Sequence, residues 1–140
     1  MLIKQLSIFL ENKEGRLAEV TKILGEAGID ISALVISDTT DFGILRLIVK
    51  DSAKAYDVLK KNEFTVSFTD VVVICMSDLP GSLSKVLEIL DKEGIGIEYM
   101  YAFLGRKIGQ APAVLRVEDT QRAIKLLEEN NIKLLNESDL

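Results

Sequence analysis

The apolar positions at the start of the chain change period after a short polar break. Over residues 6–10 they recur at every second position, which predicts a strand with one buried face. After a break at residues 12–15 they follow the three- and four-residue spacing of an amphipathic helix, which begins at Arg16 and ends before Gly28. The chain is therefore expected to open with a strand, a turn and a helix.

The rest of the first half predicts two more strands, a second helix and a closing strand. The β-rich runs 29–37 and 42–49 flank a polar tetrapeptide and indicate a hairpin. Asp51 stands in position to cap a helix that runs through Lys61. A last strand is expected over residues 64–68.

The second half of the chain repeats the first. Residues 8–31 align with residues 74–97 at an offset of 66, and this places Gly15 on Gly81. Later positions align at an offset of 68, because the second copy has gained two residues in the turn-rich stretch 105–112. Glycines, caps and apolar positions coincide together, which indicates two homologous domains.

The predicted domains are residues 1–68 and residues 69–140. Each contains a strand–helix–strand unit twice, the arrangement of the ferredoxin-like fold. The predicted fold class is α+β, with two ferredoxin-like βαββαβ domains whose antiparallel sheets carry helices on one face. Because the other face of each small sheet is left uncovered, a homodimer is also predicted. The elements expected in the second domain are 71–77, 82–93, 95–103, 113–117, 120–130 and 132–135.

Charge and residue types exclude several classes of protein. Seventeen Lys and Arg residues against 22 Asp and Glu residues give a net charge of −5, which argues against a nucleic-acid partner. There is no histidine and one cysteine, so a histidine-based triad and a zinc site of His or Cys ligands are excluded. Asp38 and Asp41 on a turn are too few ligands for a metal ion. No catalytic residue, metal or cofactor is predicted.

The sequence also bears on cellular location. The longest apolar run, 71–76, is strand-sized, so no membrane-spanning helix and no membrane partner are predicted. The alternating N-terminal segment does not have the pattern of a secretory signal. A single cysteine, Cys75, fits the reducing environment of the cytoplasm and is expected to be buried and inert.

The turns that join the first strand to the first helix of each half carry the candidate chemistry. In each turn a glycine precedes the helix and lets a ligand approach the backbone. The free N–H groups of the helix N-terminus suit a carboxylate or a phosphate. Asn12 and Asp78 stand three residues before these glycines, and Asp78 suits an ammonium group. The combination describes a receptor for a free amino acid, whereas the alternative is a tight turn with a local cap.

The same turns carry a family resemblance. The segments Asn-Lys-Glu-Gly-Arg-Leu (12–17) and Asp-Leu-Pro-Gly-Ser-Leu (78–83) precede helices that end in Ala-Gly-Ile-Asp-Ile and Glu-Gly-Ile-Gly-Ile. This pattern resembles the ACT domain family and covers almost the whole chain, once per half. Glu14 departs from the family pattern, which often has proline there. Gly96 also departs from it, because Asn or Asp is common at that position.

The resemblance implies a non-catalytic regulatory protein that holds a free amino acid at the interface between paired ACT domains. It implies that the second strand of the partner domain faces the turn, where Tyr99 and Tyr101 offer stacking area and hydroxyl groups. A metabolic enzyme or a regulator is the implied partner. The candidate ligand-binding residues are Asn12, Lys13, Gly15, Arg16, Leu17, Asp78, Leu79, Pro80, Gly81, Ser82, Leu83, Tyr99 and Tyr101.

Two other functions stay open. A structural interaction module would use its sheet faces and strand edges for assembly and would bind no ligand. An enzyme of the acyl-phosphate hydrolase type would need an arginine-lined phosphate cradle with a water-positioning asparagine, for which Asn12 and Arg16 are the nearby pair. The sequence supplies no clear general base for that enzyme.

Overall fold

The computed structural model describes residues 2–11, 14–38, 42–105 and 107–140. They form two compact units, one of residues 4–69 and one of residues 70–140 together with the start of the chain. Each unit is a mixed α+β structure with an antiparallel sheet and two helices, which confirms the predicted fold class. No helix within the described ranges is long and apolar enough to cross a membrane.

The first unit has the predicted order of elements. It consists of β1 (Ile3–Glu11), α1 (Arg16–Glu26), β2 (Ile31–Asp38), β3 (Phe42–Val49), α2 (Ser52–Lys61) and the start of β4 (Thr65–Ser77). Its strands lie in the order β2-β3-β1-β4. β3 pairs antiparallel with both β2 and β1, so the predicted hairpin of the second and third strands is confirmed.

The second unit repeats this architecture. It continues from the end of β4 into α3 (Ser82–Lys92), β5 (Ile97–Ala102), β6 (Gln110–Val117), α4 (Thr120–Glu129), β7 (Lys133–Leu135) and a short 3-10 helix (Glu137–Asp139). Its strands lie in the order β5-β6-β4, with β7 on β4. The sequence pattern did not predict the final 3-10 helix.

Strand β4 corrects one prediction. The sequence pattern indicated separate strands over 64–68 and 71–77, whereas β4 is continuous from Thr65 to Ser77. The polar pair Thr69-Asp70 interrupts the apolar pattern without Gly or Pro, so nothing prevents the backbone from staying extended. The boundary between the two units therefore lies inside this strand.

Each unit has its own core, formed by its helices and one face of its sheet. In the first unit the period-two residues Leu6, Ile8 and Leu10 are buried with Val20 and Leu24 of α1. This confirms the predicted inner face of β1. The core of the second unit includes Val72, Ile74, Val86, Leu90, Leu115 and Leu127.

The sheet face opposite the helices is less exposed than predicted. Val71 and Val73 alternate with the core residues of β4, and Val114 of β6 pairs with Val73; all three are fully buried. In the first unit Ala33 and Ile48 pair across β2 and β3 and are also fully buried. The prediction of an uncovered sheet face is therefore wrong at these positions.

The four helices begin in two different ways. The Asp51 carboxylate accepts a hydrogen bond from the Lys54 N–H at 3.1 Å and caps α2, as the sequence predicts, and Asp119 caps α4 at the same distance. By contrast, α1 and α3 follow Gly15 and Gly81 and have no side-chain cap at that position. The two types of N-terminus therefore differ in how many amide groups they leave free.

A cation at the start of the second helix of each unit binds the end of the first helix. Lys54 Nζ donates to the Ala27 carbonyl oxygen at 2.7 Å, and Arg122 Nη2 donates to the Glu93 carbonyl oxygen at 2.7 Å. These carbonyls lie at the negative ends of the α1 and α3 dipoles. The interaction is thus repeated in both units and fixes one helix against the next.

We expect Lys54→Met to lower the free energy of unfolding by about 0.5–1 kcal/mol, because a cation at a helix C-terminus and its hydrogen bond are lost. Urea denaturation measures the change. Lys50→Met is the matched control, since the Lys50 side chain is exposed and has no hydrogen bond or ion pair to a described residue. Equal losses in the two variants would contradict the assigned role of Lys54.

Candidate functional site

The second unit has a surface cavity beside the turn that precedes α3. The cavity lies between α3 and the start of β5, and its volume is about 650 Å³. This volume is within the range of small-molecule sites. The lining residues are Leu83, Ser84, Leu87, Glu88, Asp91, Ile95, Gly96 and Ile97. We call this cavity the α3 cavity.

Two backbone amides at the α3 cavity have no partner among the described residues. The Lys85 N–H makes the first intrahelical bond, to the Gly81 carbonyl oxygen at 3.0 Å, and the Ser82 N–H is bonded within the turn. The amides of Leu83 and Ser84 donate to no described residue. Because Gly81 has a φ of +87° and no side chain, this position supplies no cap for them. The helix therefore offers two donors and the positive end of its dipole to an anion.

Two acidic residues line the same cavity and were missed in the sequence pattern. Glu88 and Asp91 lie on the later turns of α3. At the equivalent positions the first repeat has Lys22 and Gly25. Comparison of the two repeats would therefore have identified Glu88 and Asp91 as candidate site residues. An anion-binding helix end and two carboxylates together suit a molecule with both charges.

Gly96 lies beside Glu118. A Cβ atom built on Gly96 would overlap the carboxylate at the end of the Glu118 side chain, which can rotate away, and the Glu118 N–H donates to the Gly96 carbonyl oxygen at 3.2 Å. An irregular register occurs at the start of both β2 and β5. This irregularity does not depend on glycine, because the first repeat has Asp30 at the equivalent position.

The two predicted tyrosines lie on the other face of their strand. Met100 packs against the core of the second unit, so its neighbours Tyr99 and Tyr101 face away from α3 and α4. Tyr101 is buried, with 7% of its surface exposed. Neither tyrosine lines the α3 cavity.

The other predicted residues of the second turn lie at the surface. The Asp78 N–H donates to the Gly109 carbonyl oxygen at 3.0 Å and ties this turn to the β5–β6 connection. Leu79 is 68% exposed, and Pro80 is also exposed. None of these turn residues lines the α3 cavity, whereas Leu83 does.

The first turn holds Arg16 beside a second cavity. Gly15 has a φ of +84° at the start of α1, and Leu17 is partly exposed. Asn12 and Lys13 lie outside the described residues. The cavity has a volume of about 360 Å³. Its lining residues are Phe9, Leu10, Glu11, Arg16, Phe42, Glu63, Phe64 and Thr65, and we call it the Arg16 cavity.

The Arg16 guanidinium is held from two sides. Its Nη1 donates to Glu19 Oε2 at 2.9 Å, and its Cζ lies 4.6 Å from the centroid of the Phe64 ring. Its Nε is buried and donates to no described residue. A cation–π contact and an ion pair thus fix this arginine while one donor stays unused.

The second unit forms a cavity at the equivalent place, with different side chains. Its volume is about 350 Å³, and its lining residues are Cys75, Met76, Ser77, Ser82, Lys85, Val86, Asn131, Ile132 and Lys133. Cys75 is half-buried, and its Sγ lies 3.7 Å from Gln110 Oε1. The prediction of a buried Cys75 is therefore wrong, because its side chain points to a cavity and not to the core.

The described residues contain no group of three or more His, Cys, Asp or Glu side chains that could hold a metal ion. Asp41, one of the two turn aspartates considered in the sequence, lies outside those residues. The described cavities contain groups that can contact a small molecule: free amides, fixed charges and apolar walls.

The solved structures that resemble this chain include near and distant relatives. The crystal structure of protein BT0572 from Bacteroides thetaiotaomicron has 50% sequence identity and a TM-score of 0.93, covering 99% of this chain and 95% of that chain. The regulatory subunit of aspartate kinase from Thermus thermophilus, in its ligand-free form, has 15% identity and a TM-score of 0.65, with coverages of 91% and 93%. The regulatory subunit from Thermus flavus has 15% identity and a TM-score of 0.59, with coverages of 90% and 90%.

No curated protein matches the sequence. At 15% identity the aspartate kinase subunits support the fold alone. The family model described as an ACT domain pair matches residues 1–140, which agrees with the two repeats of the sequence and the two units of the structure. The chain therefore belongs to the ACT domain pair family.

Proposed function

We propose that this protein is a non-catalytic regulatory module that binds a free amino acid in the α3 cavity. The observation that carries the proposal is the pair of unpartnered amides, Leu83 and Ser84, at a cavity that also contains two carboxylates. Family membership supports a regulatory role, because ACT domain pairs resemble regulatory domains that bind amino acids.

The chemistry of the cavity matches the two charges of an amino acid. The α-carboxylate would accept hydrogen bonds from the Leu83 and Ser84 amides, where the helix dipole adds to the attraction. The ammonium group would donate to Glu88 or Asp91. The apolar side chains of Leu87 and Ile95 would then contact the ligand side chain.

We further propose that another protein recognises the ligand-bound form of this protein. Membership of the ACT domain pair family agrees with the partner that the sequence resemblance implies, a metabolic enzyme or a regulator. A second copy of the chain would complete the binding site. β5 borders the α3 cavity and, among the described residues, pairs with β6 alone. Its free edge could therefore pair with another strand.

The enzymatic alternative has little support. An acyl-phosphate hydrolase would use Arg16 with Asn12, but Arg16 Nη1 is bonded to Glu19 and its guanidinium lies over Phe64. That reaction also needs a general base, and the sequence supplies no clear one. A purely structural module remains the alternative, which the following measurement separates from a sensor.

We expect at least one of the twenty amino acids to raise the melting temperature of the protein. A ligand that binds only the native state at 100 times its Kd stabilises it by about 2.7 kcal/mol. Differential scanning fluorimetry across the panel measures the shift, with D-enantiomers of the active amino acids as controls. The absence of a shift for all twenty would favour the structural module.

We expect Glu88→Gln to weaken binding of the active amino acid by roughly 10- to 150-fold, because a charged hydrogen bond to the ammonium group is worth about 1.5–3 kcal/mol. Titration calorimetry on the folded variant gives the ratio. Asp78→Asn is the matched control from the sequence prediction, and it should change the affinity by less than about twofold, because Asp78 does not line the cavity. A large loss of affinity in Asp78→Asn alone would instead place the ammonium site at the turn.

We expect the protein to be a homodimer in solution. The expected mass is twice 15.5 kDa, because the free edge of β5 and the exposed Leu79 and Leu104 would be covered by a second copy. Light scattering at micromolar concentration measures it. A mass of 15.5 kDa would exclude a dimer as the ligand-free state.

A further inference from the structure

The Arg16 cavity of the first unit has features that the α3 cavity lacks. Three phenylalanine side chains line it, and Phe9 and Phe42 place their rings 4.9 Å apart, tilted by 34°. Phe9 is 48% exposed, although a phenylalanine ring is usually buried. The walls of this cavity therefore offer aromatic surface to a ligand at the protein exterior.

The donor set of Arg16 is only partly used. Nη1 is bonded to Glu19, and Phe64 lies under the guanidinium plane. The remaining edge, formed by Nε and Nη2, has no hydrogen bond to a described residue, and Nε is buried. Because Nε is buried, Nη2 is the donor through which a ligand carboxylate can pair with this arginine.

The equivalent cavity of the second unit shows that these side chains are not required by the fold. Where the first repeat has Phe9, Arg16 and Phe64, the second has Cys75, Ser82 and Ile132. Both cavities keep nearly the same volume, about 360 and 350 Å³. The cavity is therefore a property of the fold, whereas its aromatic and cationic lining belongs to the first repeat.

We infer that the Arg16 cavity binds a small molecule that carries an aromatic ring and a carboxylate. The ring packs against Phe9 and Phe42, and the carboxylate accepts a charge-assisted hydrogen bond from Nη2 of Arg16. Glu63 lines the same cavity and can accept a hydrogen bond from an ammonium group. An aromatic amino acid and an arylalkanoic acid share this chemistry. The site is independent of the α3 cavity and of the function proposed for it.

Three probes separate the parts of this ligand in titration calorimetry with the full chain. L-phenylalanine has the ring, the carboxylate and the ammonium group; 3-phenylpropanoate lacks the ammonium group, and 2-phenylethylamine lacks the carboxylate. We expect saturable binding of the first two and at least about tenfold weaker binding of the amine. A preference of more than about tenfold for L-phenylalanine over 3-phenylpropanoate identifies the ligand as an amino acid, and similar affinities identify an arylalkanoic acid.

Variants of the two units then assign the site. Arg16→Met should weaken binding of the two carboxylate probes by at least about tenfold. Arg16→Lys should give an affinity between that of Arg16→Met and that of the unmodified protein, because lysine keeps the charge without the guanidinium donor. Ser82→Ala, at the equivalent position of the second unit, should leave these affinities within about twofold. If Arg16→Met does not fold, as judged by circular dichroism, Phe42→Leu replaces it and should also weaken binding at least about fivefold.

Four outcomes would overturn the inference. They are no saturable binding of L-phenylalanine or 3-phenylpropanoate, equal affinity for 2-phenylethylamine, unchanged affinity in folded Arg16→Met, or unchanged affinity in Phe42→Leu where that variant replaces it. Loss of binding in Glu88→Gln with retention in Arg16→Met would place the aromatic ligand in the α3 cavity. In that case the function proposed above would stand and the inference about the Arg16 cavity would fail.

Discussion

The left-handed glycine before α1 and α3 is the constraint that sets how the first helix of each unit begins, next to the two candidate cavities. At a φ of +84° or +87°, Gly15 and Gly81 turn the chain from the first strand into the helix in a conformation that L side chains rarely adopt. A glycine has no side chain that could cap the helix. The amides after it are therefore free of that cap, whereas Asp51 and Asp119 cap α2 and α4. One backbone requirement thus produces the turn and the donors together.

The apolar pattern predicted most of the fold because each core is built from regularly spaced residues. Leu6, Ile8 and Leu10 are buried as their period of two requires, and the repeat transfers the same reasoning to the second unit. The pattern failed at positions whose backbone conformation or burial depends on residues outside their own strand or helix. The polar pair 69–70 suggests a break, yet β4 continues, since hydrogen bonding to neighbouring strands holds an extended backbone regardless of local polarity. The full burial of Val71 and Val73 likewise depends on packing that a single strand cannot reveal.

The candidate site was only partly predictable, for a related reason. The turn and its glycine form a contiguous motif, so Leu83 and its amide could be placed from the sequence. Glu88 and Asp91 were missed because a helix brings two residues that are three positions apart to the same cavity, on a surface where acidic residues are ordinary. Gly96, which departs from the family pattern, lines the cavity beside the flexible side chain of Glu118. Comparison of one repeat with the other carries more information here than either repeat alone.

Duplication explains how one fold can hold two cavities with different chemistry. The side chains that maintain each core are apolar in both repeats, so replacing Arg16 by Ser82 or Phe64 by Ile132 at equivalent positions changes a cavity wall and keeps the fold. Phe64 is buried in the core of the first unit and Ile132 packs against the core of the second, so this position keeps an apolar side chain while its shape changes. Arg16 and Ser82 are partly exposed, so a charge can be exchanged there while the left-handed glycine and the buried stripe are retained. For this reason the two units have the same geometry and, at equivalent cavities, opposite polarity: an aromatic wall with one arginine in the first unit, and a polar wall with two lysines in the second.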